Sequence, residues 1–194
     1  EMLELPDLEG ATVTIAIENA YPPFSFIDEE TGEPAGWDYD VVEEICDRLN
    51  CTPEFIQTSW DGMIVAVSNG EFDMATNGIT ITEERAEIVA FSDGYARIIQ
   101  RMMIVLDEDR FETVEEFVEG DFVIGVQTGT TNFLTAQELV GDERLVAFDQ
   151  FGAAIQALIA GDVDGVVIDD VAGQGYVGEA DDQIELLEDE ISSD

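Results

Sequence analysis

Along residues 12–17, Val13, Ile15 and Ile17 alternate with smaller side chains, which is the two-residue period of a β-strand. The prolines of "YPPFSF" then predict a rigid turn. From Asp38 to Leu49, apolar Val41, Val42, Ile45, Cys46 and Leu49 recur on one helical face, so an amphipathic helix is expected. Strand-like runs return at 54–58 and 72–76, separated by a helical "WDGMIVAVSNG" that Gly70 closes. A new unit begins at "MMIVL" (102–106), followed by a helix near 113–119 and a strand at 122–126. "TGTTNFLTAQEL" turns sharply into a helix and "QFGAAIQALIAG" forms another. Residues 163–168 make a buried strand with Asp169 at its carboxyl end. Strands alternating with helices predict an α/β fold with mainly parallel sheets. In such sheets ligands bind beyond the carboxyl ends of the strands.

Two local signals add chemistry to this outline. Thr82 occupies the N-cap position of a helix whose first three residues would be Glu83, Glu84 and Arg85. Acidic side chains suit that end of the helix dipole, whereas a cation opposes it. An arginine placed there, behind Asn77, Gly78 and Thr80, is expected to face a small anionic ligand rather than solvent. Asn50 is placed as the left-handed residue after the 38–49 helix, with Cys46 and Cys51 at positions that commonly touch in a Schellman motif. A Cys46–Cys51 disulfide is then within geometric reach, with two buried thiols as the alternative.

Charge changes the picture more than size does. The 194 residues carry 46 acidic and six basic side chains, a formal charge of −40, and every base is an arginine. Such charge accompanies disorder only in chains poor in apolar residues. Here 45% of residues are hydrophobic, so a folded protein with an acidic surface is expected. Nucleic acid is excluded as a partner because phosphates demand basic patches, and an anionic membrane face is disfavoured for the same reason. No apolar run reaches the length of a membrane span. "EMLELPDLEG" has neither the basic region nor the apolar core of a signal peptide, so an exported protein would have lost its leader already. There is no histidine, which removes Ser-His-Asp and Cys-His catalysis, and two cysteines cannot build a Cys-rich zinc site. No metal or cofactor is expected.

Glu18, Asn77, Thr80, Arg85, Thr130, Thr131 and Asp169 all fall at strand ends or helix starts. Together they offer one cation, carboxylates, hydroxyls and free helix N–H groups, the set that a zwitterion requires. Arg85 can grip a carboxylate bidentately, helix N–H groups can share its charge, and Asp169 can take an ammonium. Each residue alone has a plainer reading: Arg85 in a surface ion pair, Thr130 as an N-cap only, Asp169 as a solvated loop carboxylate.

Five segments in order carry a family likeness: "YPPFSFIDEETGEPAGWDYDVVEEICDRL", "SWDGMIVAVSNGEFDM", "ITITEERAEIVAFSD", "IGVQTGTT" and "ALIAGDVDGVVIDD". From residue 12 to about 175 the chain resembles the amino-acid-binding proteins of ABC importers, the polar amino-acid branch of the type II periplasmic-binding-protein fold. The resemblance implies two α/β lobes joined by hinge strands and closing on one amino acid. The expected organisation is a first lobe at 1–96, a hinge at 97–101, a second lobe at 102–187 and the start of a return hinge at 188–194. Members of the family continue beyond "ISSD" to complete the first lobe, so its C-terminal part is expected to be missing here.

By motif position, the resemblance implies that Arg85 clamps the ligand α-carboxylate, assisted by the N–H groups of Thr80 and Thr131. It implies that the Gly78 carbonyl, Thr80 and Asp169 hold the α-ammonium, and that Tyr21 and Trp60 sandwich the side chain. Glu18, Asn77, Gln127 and Thr130 would line the specificity pocket, with Glu18 favouring a polar or cationic side chain. The implied protein is an extracytoplasmic, monomeric, non-enzymatic solute-binding protein that delivers its amino acid to a membrane permease. The same fold also serves as the sensing domain of receptors and, in cyclohexadienyl dehydratases, as an enzyme; Glu18 is the one acid here placed for such chemistry.

The charge balance resembles that of a protein from a salt-loving organism, the alternative being an acidic mesophilic protein. At about 1 M salt the Debye length is only about 3 Å, so dense like charge is tolerated. In dilute buffer the same surface repels itself and loosens the compact state. Circular dichroism should therefore show structure being lost as salt is diluted to millimolar levels. Undiminished stability without salt would exclude a halophilic adaptation.

Overall fold

The computed structural model describes residues 5–179 and 182–193. Residues 1–4 of the expected first lobe, 180–181 of the second and 194 of the return segment lie outside the described residues. Packing divides the chain into two compact units, 1–91 and 92–194.

In the first unit, β1 (Ala11–Ile17) leads through the short strands β2 (Ala20–Tyr21), β3 (Ser25–Ile27) and β4 (Pro34–Ala35) to α1 (Trp37–Leu49). There follow β5 (Cys51–Gln57), α2 (Met63–Ser68), β6 (Met74–Ala75) and α3 (Glu83–Ala86). The main sheet has the order β5-β1-β6, parallel throughout, with Ile15 opposite both Phe55 and Met74. Ile15, Ala16 and Ile17 are fully buried, and Ala16 packs with Trp60 and Met63. Strands β2, β3 and β4 form a small antiparallel sheet.

Helix α1 ends as its sequence predicts. Asn50 adopts the left-handed conformation (φ 53°, ψ 58°), and its N–H donates to the Cys46 carbonyl. Cys46 and Cys51 are joined by a disulfide. The buried line of α1 differs from the expected face, because Asp38, Val42 and Cys46 point inward while Ile45 is 42% exposed. Those three residues sit four apart and so stack along one side of the helix. Helix α2 is shorter than expected. Gly62 adopts the left-handed conformation (φ 84°), so helical geometry begins only at Met63 and Trp60 stays outside it. The strand expected at 72–76 contracts to β6 because the Asp73 carboxylate accepts from the Thr14 N–H and hydroxyl, both at 2.8 Å, where ladder bonds would run.

The second unit contains β7 (Ile99–Val105), α4 (Val114–Glu119), β8 (Ile124–Gln127), α5 (Thr131–Val140), a 3-10 turn, β9 (Leu145–Phe148) and α6 (Phe151–Ala160). It continues with β10 (Gly165–Asp169), α7 (Asp170–Glu179), β11 (Ile184–Leu186) and β12 (Ser192–Ser193). The sheet order is β11-β7-β10-β8-β9, and β12 also pairs with β7. Strands β8, β9 and β10 run parallel, whereas β7 is antiparallel to β10, β11 and β12. The division between units falls after Phe91, and residues 99–101, within the expected hinge, are strand because their backbone pairs with β10 and β12.

The core of this unit centres on Met102, Phe117, Ile124, Val126 and Val167, all fully buried. Phe111, Phe117 and Phe122 meet with centroids 4.7–5.3 Å apart. Arg110 lies over Phe111 and Phe122 while pairing with Glu108 and Asp164. That arginine is also what holds the Glu108 carboxyl below its usual range. Arg144 donates to the Val118 and Gly120 carbonyls, satisfying groups that the end of α4 leaves without helical partners.

Candidate functional site

The sequence-predicted residues form two groups, one in each unit. In the first unit they stand just beyond the carboxyl ends of the parallel strands. Glu18 follows β1 and is 1% exposed; its backbone N–H donates to Asn77 Oδ1 at 3.0 Å, and Asn77 lies in the loop after β6. Ser25 Oγ lies 2.8 Å from both the Glu18 carbonyl and Asn77 Oδ1, with one proton to give. The Glu18 side chain turns toward Trp60, whose backbone N–H lies 3.4 Å from Oε1.

Arg85 joins this cluster from α3. Thr82 caps that helix, its hydroxyl accepting from the Arg85 N–H at 3.2 Å. The guanidinium is half-buried, lies 5.2 Å above the Trp60 ring, and donates through Nη1 to the Thr80 carbonyl at 2.8 Å. A cation over an indole face gains roughly 0.5–1 kcal/mol at an exposed site and more when desolvated. Gly78 holds φ +57°, and a Cβ there would come within 2.4 Å of the Tyr21 ring, so this loop demands glycine. Thus Glu18, Tyr21, Trp60, Asn77, Gly78, Thr80 and Arg85 are one connected patch.

Sequence reasoning missed the carboxyl beneath that patch. Asp38 is fully buried, and its Oδ1 accepts from the Thr76 hydroxyl at 2.8 Å. Burial pushes its carboxyl up to about 6, against the opposing effects of Thr76 and, more weakly, the Gly78 N–H. The sequence signal was ambiguous, because an acid in the first helical turn is ordinarily a solvated partner of the dipole. Only its four-residue spacing from Val42 and Cys46 marks it as a core position.

In the second unit the site residues gather at the ends of β8 and β10 and the start of α5. Gln127 ends β8, and its Nε2 donates to the Asp149 carbonyl at 2.9 Å. Thr130 caps α5, accepting from the Phe133 N–H at 3.1 Å and donating to the Gln127 carbonyl at 2.7 Å. Thr131 Oγ1 accepts from Gln100 Nε2 at 3.0 Å. Asp169 is the last residue of β10 and is 5% exposed, not a solvated loop group. Its Oδ1 accepts from Asn132 Nδ2 at 2.9 Å. Asn132 and Gln100 were not anticipated. Among the described residues no cluster of acids and cysteines could hold a metal ion, and no helix is long and apolar enough to cross a membrane.

One family model matches residues 13–158: bacterial extracellular solute-binding proteins, family 3. The chain belongs to that family.

Among family relatives, it is 27% identical over 170 residues to a probable histidine-binding protein of Neisseria gonorrhoeae, covering 87% of this chain and 62% of that one. It is 28% identical over 163 residues to the cyclohexadienyl dehydratase of Pseudomonas aeruginosa, covering 84% and 60%. The solved structure of holo ArgBP from T. maritima superimposes with a TM-score of 0.86 at 32% identity, covering 94% of this chain and 79% of that one. The chain therefore spans about three fifths of the length of the two curated relatives. Most relatives are named as binding proteins, and the dehydratase is an enzyme with the same likeness.

The raised Asp38 carboxyl fixes a sign for the pH dependence of stability. The folded state holds this proton more tightly than the unfolded chain, whose carboxyl titrates at 3.8. Between about pH 4 and pH 6 folding takes up a proton, so this contribution falls as pH rises; above that a constant cost on the order of 3 kcal/mol remains. Asp38→Asn should remove the dependence. In denaturant melts at fixed high salt, the variant should gain stability relative to the wild type as pH goes from 4 to 7. Parallel pH profiles for the two proteins would show that Asp38 is not held protonated.

Proposed function

We propose that this protein is the extracytoplasmic solute-binding component of an ABC importer, capturing one free L-amino acid with a cationic side chain. The observation that carries the reading is the first-unit patch, where Arg85 over Trp60 stands in the same cluster as buried Glu18. Arg85 takes the α-carboxylate, assisted by the N–H groups of Thr80 and Thr131. Asp169, the Gly78 carbonyl and Thr80 take the α-ammonium. Tyr21 and Trp60 flank the side chain, while Glu18, Asn77, Gln127 and Thr130 meet its far end. A buried carboxylate there repels an anionic side chain and suits a guanidinium or imidazolium. The names of a probable histidine-binding relative and an L-arginine-binding relative support that choice. The protein acts as a monomer and passes its ligand to a membrane permease.

The dehydratase relative supports a second reading, in which Glu18 is a proton donor or acceptor. Binding of prephenate or arogenate with turnover would favour it, and binding without turnover would exclude it.

A thermal-shift screen of the twenty amino acids in high salt tests the first reading, since a ligand at a hundred times its Kd adds about 2.7 kcal/mol of stability. L-arginine should stabilise the protein, and agmatine, which lacks the carboxylate, should not. Arg85→Ala should weaken L-arginine binding by roughly 3 kcal/mol, about a hundredfold. Arg85→Lys should recover only part, because the planar fork is lost. Equal shifts from L-arginine and agmatine would rule out the assigned role of Arg85.

A further inference from the structure

Asn132 is the second residue of α5, a position whose side chain ordinarily reaches solvent, yet it is 2% exposed. Burying an amide is costly unless it is hydrogen-bonded. Its Nδ2 meets Asp169 Oδ1 at 2.9 Å, across 37 residues of sequence. Asp169 is paired in the β10–β7 ladder with Gln100, which is fully buried and donates to Thr131 Oγ1 at 3.0 Å. Two amide side chains thus tie the first turn of α5 to β10 and β7. One bond runs from the helix to the strand carboxylate, and the other runs from the neighbouring strand to the helix hydroxyl.

A carboxylate at a strand end has two side-chain torsions to settle. The bond from Asn132 engages Oδ1 and so constrains which way the carboxylate points. We propose that Asn132 is a positioning residue for ligand binding, orienting through Asp169 the carboxylate that receives the ligand α-ammonium. This rests on the amino-acid-binding reading above. Its consequence is selective: Asn132 matters for ligands that carry an α-ammonium and is nearly silent for those that do not. A role confined to supporting α5 has no such selectivity, since the helix start would be disturbed for every ligand carboxylate.

The experiment compares L-arginine with 5-guanidinopentanoate, the same molecule without its α-amino group, by calorimetry in high salt. Asn132→Ala should weaken L-arginine by roughly ten- to a hundredfold, the range for a hydrogen bond to a charged group. The deaminated analogue should change by less than about threefold. Asn132→Gln keeps an amide donor on a longer arm and should recover part of the L-arginine affinity; it also serves if the alanine variant fails to fold, which circular dichroism reports. Equal losses for both ligands, or no loss for either, overturn the positioning role and leave the amino-acid reading standing. Failure of the wild type to bind any L-amino acid refutes the reading itself, and the role of Asn132 with it; if a different L-amino acid binds, that amino acid and its deaminated analogue replace the L-arginine pair.

Discussion

A shortage of cations governs how this chain is built. With 46 carboxylates and six guanidinium groups, most acids cannot have an ionic partner, so acids that leave water must depend on uncharged donors as well. Three buried carboxyl groups have such donors. Asp38 accepts from the Thr76 hydroxyl, Asp169 from the Asn132 amide, and Glu18 lies within reach of the Trp60 backbone N–H. Neutral donors offset desolvation less completely than a paired cation does. For Asp38 the imbalance raises the carboxyl to about 6, the direction expected when burial outweighs its neutral donors.

The arginines follow a complementary logic. Arg48 makes an exposed pair with Glu44, and pairs of that kind contribute little. Arg110 pairs with Glu108 and Asp164, while Arg85, Arg101 and Arg144 donate to backbone carbonyls: Thr80; Leu187 and Glu188; Val118 and Gly120. A guanidinium suits both tasks, because several donors in a rigid fork can serve separated acceptors. Lysine offers no such fork, and the chain contains none.

How much of this was legible in the sequence varied with the distance over which each feature is decided. Local rules held where the determinant was local: Asn50 takes the left-handed conformation, and Thr82 and Thr130 cap their helices. Alternating and apolar runs located β1, β5, β7, β8 and β10 but not β2–β4, β9, β11 or β12, and the five ordered motifs found the family. Features set by partners far along the chain were hidden. The inward line of α1 runs through Asp38 rather than Ile45, because Thr76 waits beneath it. Strand β7 begins at Ile99 because β10 and β12 pair with it. Asn132 looked like an ordinary first-turn residue because its partner lies at the end of another strand.

The candidate residues, by contrast, were legible as positions before their contacts were known, and topology explains why. In a parallel arrangement every strand delivers its carboxyl end to the same edge of its sheet, and the loops leaving that edge have no ladder to complete. Glu18 follows β1 and Asn77 follows β6 in one unit; Gln127 ends β8 and Asp169 ends β10 in the other. The polar side chains at these places are nevertheless buried. What position could not reveal is the second layer: Ser25, Gln100 and Asn132, which hydrogen-bond candidate residues from elsewhere in each unit, and Asp38, which accepts from Thr76. At the end of β10 the two layers meet: Asp169 comes from the strand, and the buried amide of Asn132 reaches it from α5.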